Sequence, residues 1–197
     1  MAKISTGSML GLILTGTFFF PNRAITPFSP EDPCRSFANC DQALLRAAGI
    51  GDLKWAEAAL EYGAQINTRD LTGGTALTAA AYGGFDALVR LLIKHGADVD
   101  AKDAAGTTSL MFACLRAHLP VVRILLESGA NPNTRGPFAR TPLMYAVSSG
   151  DFDTVRILIE TGADVSAKNE FGETALSLAV KARNQDIARI LRFNGAD

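Results

Sequence analysis

Glycine returns at a fixed step of 33 residues along this chain, at Gly63, Gly96, Gly129, Gly162 and Gly195. Three further columns keep the same step and phase: Thr75, Thr108, Thr141 and Thr174; Leu44, Leu77, Leu110, Leu143 and Leu176; Ala47, Ala80, Ala113, Ala146 and Ala179. Longer phrases recur too, LIKHGADVDAKD from Leu92 to Asp103 and LIETGADVSAKN from Leu158 to Asn169. A period of this size constrains the fold strongly. It describes one supersecondary unit that cannot bury its apolar face alone, so neighbouring units must bury it jointly in a stack.

One unit, DLTGGTALTAAAYGGFDALVRLLIKHGADVDAK, shows what the step contains. Gly73 permits a tight turn, and Thr75 is placed to cap a short helix whose Leu77, Ala80 and Ala81 follow at spacings of three and four. In a later unit the same place reads Thr141-Pro142, a capping hydroxyl followed by proline at the first helical position. Gly83 and Gly84 are expected to break this helix, and Leu88, Val89, Leu91 and Leu92 form the apolar stripe of a second one. Gly96 then ends the second helix in a left-handed conformation, and Ala97 to Asp100 lead back as a short extended return.

Helix, turn, helix and projecting loop, with G-T-x-L-x-x-A in the first helix and G-A-D/N after the second, resemble the ankyrin repeat family over residues 41–197. The resemblance implies an all-α fold, an ankyrin-type α-solenoid of stacked helix-turn-helix units with projecting β-hairpin loops. Five units are expected, at 41–69, 70–102, 103–135, 136–168 and 169–197. The family's Thr-Pro-Leu-His is here TALT, TSLM, TPLM and TALS, without the histidine that links adjacent loops, so looser loops are expected. Arg192 stands where Ile93, Leu126 and Ile159 should bury against a neighbour, the mark of a capping unit.

Ahead of the repeats, residues 1–24 have a signal-peptide layout: Lys3, an apolar stretch from Met9 to Phe20, then Pro21 and a cleavage point expected after Ala24. That stretch is too short for a stable membrane span; an uncleaved anchor is the alternative. Residues 25–40 form a linker with Cys34 and Cys40, which an oxidising compartment would let pair, stabilising by roughly 2 kcal/mol on the loop-entropy model. A metal site there lacks further ligands, and a thiol enzyme would favour two intervening residues rather than five. Export to the periplasm is the first expectation and secretion the second.

Candidate chemistry is sparse. His118 reads as a turn residue, His95 as a helix-end residue complementing the dipole, and Cys114 as a small buried residue in the column of Ala81 and Val147. No phosphate loop, metal-ligand set or nucleophile motif occurs, so no catalytic residue, cofactor or metal is expected. The formal charge of −1 and the acids Asp70, Asp103 and Glu170 among the cations argue against nucleic acid. Arg90, Arg123, Arg156 and Arg189 read as a solvated outer face.

By the resemblance, partners dock on the loops and the exposed side of the first helices. The corresponding candidates are Leu71, Phe138 and Phe171 on the loops, Tyr82, Leu115 and Arg116 on the helices, Arg140 beside them, and the ladder Arg69, Lys102, Arg135 and Lys168 at the loop bases. The two phenylalanines share one column, where they either meet a partner or pack on the next loop. Phe112 and Tyr145 are expected in the core. The expected function is a monomeric, non-catalytic protein-binding module, an exported bacterial adaptor or inhibitor whose partner offers acids around an apolar pocket. A secreted effector acting on host proteins and a toxin-neutralising immunity protein are the alternatives.

Overall fold

The computed structural model describes Cys34 and residues 39–196. The leader at 1–24 and the linker apart from Cys34, Asn39 and Cys40 lie outside the described residues. Five helix pairs follow one another: α1 (Cys40–Ile50) and α2 (Leu53–Glu61), α3 (Ala76–Gly83) and α4 (Asp86–Lys94), α5 (Ser109–Leu115) and α6 (Leu119–Glu127), α7 (Pro142–Ser149) and α8 (Phe152–Glu160), α9 (Ala175–Lys181) and α10 (Gln185–Phe193). Odd-numbered helices pack on one another in an inner row, and even-numbered helices in an outer row. The fold is an all-helical solenoid.

Each sequence column has one physical job. The threonines Thr75, Thr108, Thr141 and Thr174 are the N-caps of α3, α5, α7 and α9, their hydroxyls accepting from the backbone N–H three residues on. The five leucines are buried, and the five alanines are completely so. Alanine is needed where two inner helices approach, since a larger side chain there would force them apart. The five glycines all lie at φ between +86° and +91°, immediately after each outer helix.

A second left-handed column emerges only from the coordinates. Gly51, Gly84 and Gly150 turn the chain between the helices of a pair at φ +78°, +74° and +77°, and Ala117 and Arg183 hold the equivalent places at +56° and +55°. Gly83 therefore remains helical, and only Gly84 breaks α3. Space matters here as well. A Cβ on Gly84 would meet His118 Nδ1 at 2.6 Å, and one on Gly51 would meet the Phe85 ring at 2.6 Å.

The projecting loops contain, among the described residues, a single antiparallel bridge between Lys102 and Thr108 and no strand. Side chains shape them instead. Asp70 Oδ1 accepts from the N–H groups of Thr72 and Gly74, Asp103 Oδ1 from Ala105 and Thr107, and Asn169 Oδ1 from Phe171 and Glu173.

The loops are also tied to one another, which corrects the expectation of slackness. The N–H of Asp98 donates to Asn67 Oδ1 at 2.9 Å, that of Asn131 to Asp100 Oδ1 at 3.1 Å and that of Asp164 to Asn133 Oδ1 at 2.7 Å. Asn67, Asp100 and Asn133 stand one repeat apart, so this column was available in the sequence although its role was not foreseen. It supplies the cross-links that the missing histidines do not.

Candidate functional site

Cys34 and Cys40 are joined by a disulfide that closes the chain just ahead of and onto the first residue of α1. Cys114 is fully buried, and burial, with the Asp151 carboxylate nearby, pushes its thiol pKa well up, so it stays protonated and unreactive. His118 Nε2–H donates to the Tyr82 carbonyl at 3.1 Å, linking two repeats. Among the described residues no cluster of histidine, cysteine and acids could hold a metal, and no helix is long and apolar enough to cross a membrane.

The outer arginines behave as a solvated face. Arg156 pairs with Asp153 at 3.0 Å and Glu160 at 3.1 Å, and Arg189 lies 3.6 Å from Asp186. These pairs are exposed and contribute little to stability.

The ladder at the loop bases has a structural task that spacing alone did not reveal. Arg69 Nη1 donates to the carbonyls of Gly73, at 2.7 Å, and Lys102, at 2.5 Å. Lys102 Nζ reaches the Arg135 carbonyl at 3.1 Å, and Arg135 Nη1 the Lys168 carbonyl at 2.9 Å. Each cation thus clamps the next loop. Lys168 is exposed and forms no side-chain hydrogen bond or ion pair among the described residues.

Loop tips and inner helices carry several exposed apolar side chains. Leu71 is fully exposed, and Phe138 and Phe171 are 58% and 69% exposed while their rings lie 5.7 Å apart. The two rings therefore pack on each other and still offer their outer sides. Pro137 precedes Phe138, and Phe138 and Ala139 sit at φ +56° and +55°. On the helices, Tyr82 meets Phe112 edge-on at 5.7 Å, with the Arg116 guanidinium 4.9 Å over the Tyr82 ring. Arg140 lies 4.8 Å over Tyr145, whose phenol pKa is raised by burial, against the influence of Arg140. Arg140 Nη2 donates to Ser148 Oγ at 2.5 Å and to the Met144 carbonyl at 3.4 Å. Leu115 is exposed next to Arg116. Tyr145 is buried as expected, whereas Phe112 is only half-buried.

A family model described as ankyrin repeats, in three copies, matches residues 44–136 and 132–197. The chain belongs to the ankyrin repeat family. No curated protein matches it. Ankyrin repeats generally mediate protein–protein interaction, which accounts for a regular frame carrying an irregular set of exposed side chains on its loops and inner helices. In this ankyrin chain those irregular residues are Tyr82, Arg116, Phe138, Arg140 and Phe171, and none belongs to a repeating column apart from the phenylalanine pair.

Proposed function

We propose that this protein is a non-catalytic binding module that captures a protein partner across its loop tips and inner helices, and that it does so outside the cytoplasm. The paired, half-exposed rings of Phe138 and Phe171 carry the reading. Two large apolar side chains at neighbouring loop tips have no role in the stack that smaller residues at the same positions, Thr72 and Ala105, do not fill. Rigid aromatic anchors of this kind dominate interface energetics because they bury much area with few rotatable bonds.

The periplasm is the compartment proposed, with secretion second. Support comes from the signal-peptide layout of residues 1–24 and from the Cys34–Cys40 disulfide, a bond that persists in oxidising surroundings. The role proposed is that of an adaptor or inhibitor. Affinity capture from an envelope extract with the full chain should recover a defined partner, and Phe138→Ala with Phe171→Ala should release it. Retention of the partner by that double variant removes this face from the reading. Fractionation tests location separately: appearance in the periplasmic fraction supports the compartment, and appearance only in cytosol overturns it.

A further inference from the structure

Arg116 is a residue the repeat frame does not require. Its equivalents one repeat apart are Ile50, Gly83, Ser149 and Ala182. Its guanidinium lies over Tyr82, 4.9 Å from the ring centre, and Tyr82 is itself braced edge-on by Phe112. The stack restrains a long side chain that otherwise loses rotamer freedom on binding, while Arg116 stays exposed.

Arg69, Arg135 and Arg140 are each tied to other groups of this chain. Arg69 and Arg135 hold loop carbonyls, and Arg140 reaches Ser148 and Met144. Arg116 makes no hydrogen bond and no ion pair among the described residues, so no acid among them pairs with it. Leu115, exposed beside it, and the 47% exposed Tyr82 supply an apolar floor. A fixed, unpaired cation on an apolar floor, within a face that binds protein, complements one negative charge beside an apolar group. One guanidinium fork matches one carboxylate in a bidentate pair, whereas a phosphorylated residue is held by a cluster of arginines.

We propose that Arg116, stacked on Tyr82 and flanked by Leu115, is a carboxylate-receiving site that selects partner segments carrying Asp or Glu next to an apolar residue. The proposal rests on the protein-binding reading of this face. It also moves the source of positive charge from the loop-base ladder to the inner helices.

A random-peptide phage library panned on the full-length protein tests it. Peptides selected by the wild type should carry an acid at one fixed place beside an apolar residue. In fluorescence-anisotropy titrations of a selected peptide, Arg116→Ala should weaken binding about tenfold, and changing the peptide's acid to its amide should weaken wild-type binding by a similar factor. The acid-to-amide change should then have no further effect on Arg116→Ala, because the two groups would act as one pair. Absence of the acid from selected peptides, or an undiminished acid preference in Arg116→Ala, overturns the carboxylate site. Peptides that ignore Arg116→Ala but are lost on Phe138→Ala with Phe171→Ala would leave the binding face standing without it. Failure to select any peptide removes both.

Discussion

Asp70 shows how much one side chain can hold in a loop. Desolvation raises its pKa, but hydrogen bonds from the Thr72 hydroxyl and from the Gly74 and Thr72 N–H groups outweigh that and hold the carboxyl below its ordinary value. The folded pKa is depressed, so the stabilisation is present above the ordinary carboxylate range and is lost as pH falls through the folded value. Asn169 performs the same turn with an amide oxygen. Asp70→Asn should therefore keep the loop while making stability less sensitive to pH below about 4, whereas Asp70→Ala should lose both; thermal melts from pH 7 to 3 measure the difference. A steeper acid limb in Asp70→Asn would contradict the assignment. Cys114 gives a second residue-scale outcome. Its buried, protonated thiol should resist iodoacetamide at pH 8 in the folded protein and react readily in urea, read by mass spectrometry.

Among the elements, the loop at residues 136–140 departs most from its neighbours. The loops at 70–74, 103–107 and 169–173 begin with Asp or Asn and carry glycine in fourth place, at Gly73, Gly106 and Gly172. Here the glycine has moved to first place, Gly136, and Ala139 takes the left-handed position. Gly136 is needed for space, since a Cβ there would meet the sulfur of the fully buried Met111 at 2.5 Å. Pro137 removes a donor as well. Tip-to-tip bonds run from the N–H of Ala104 to the Thr72 carbonyl at 2.9 Å and from that of Glu170 to Phe138 at 3.0 Å, and the equivalent place at Pro137 has no N–H to give. Ala139→Gly and Ala117→Gly should each stabilise by up to about 1 kcal/mol by relieving a left-handed alanine, and Gly136→Ala should destabilise. Urea denaturation checks all three. A loss of stability in Ala139→Gly would mean that unfolded-state entropy outweighs the backbone strain.

At the level of the whole molecule, stability is shared between neighbours, so a central repeat supports two interfaces and an end repeat one. Leu110 on α5 is buried between α3 and α7, and Leu110→Ala should cost about 2–5 kcal/mol in urea denaturation. The carboxyl-terminal end behaves differently. Val180 is 51% exposed although its equivalents Ala81, Cys114 and Val147 are buried, because no further helix of the described stack covers it. Phe193, 89% exposed, replaces Lys94, Glu127 and Glu160 of the same column. Phe193→Glu should change stability by less than about 0.5 kcal/mol, and a larger loss would show that the ring is packed rather than exposed.

Helix order, the threonine caps, the glycines after the outer helices and the buried columns were legible in the residues, because each depends on local chemistry repeated in register. A threonine hydroxyl caps whatever helix follows it, a glycine accepts a left-handed turn wherever it stands, and a 33-residue period permits only stacking. The cross-ties were not legible in the same way. That Arg69, Lys102 and Arg135 clamp neighbouring carbonyls, that Asn67, Asp100 and Asn133 accept from the following loop, and that Arg116 lies on Tyr82 depend on the distance between repeats. One-dimensional spacing records which residues are equivalent, but only packing decides how far apart equivalent residues stand. That distance determines which cations are tied to the backbone and which remain open to a partner.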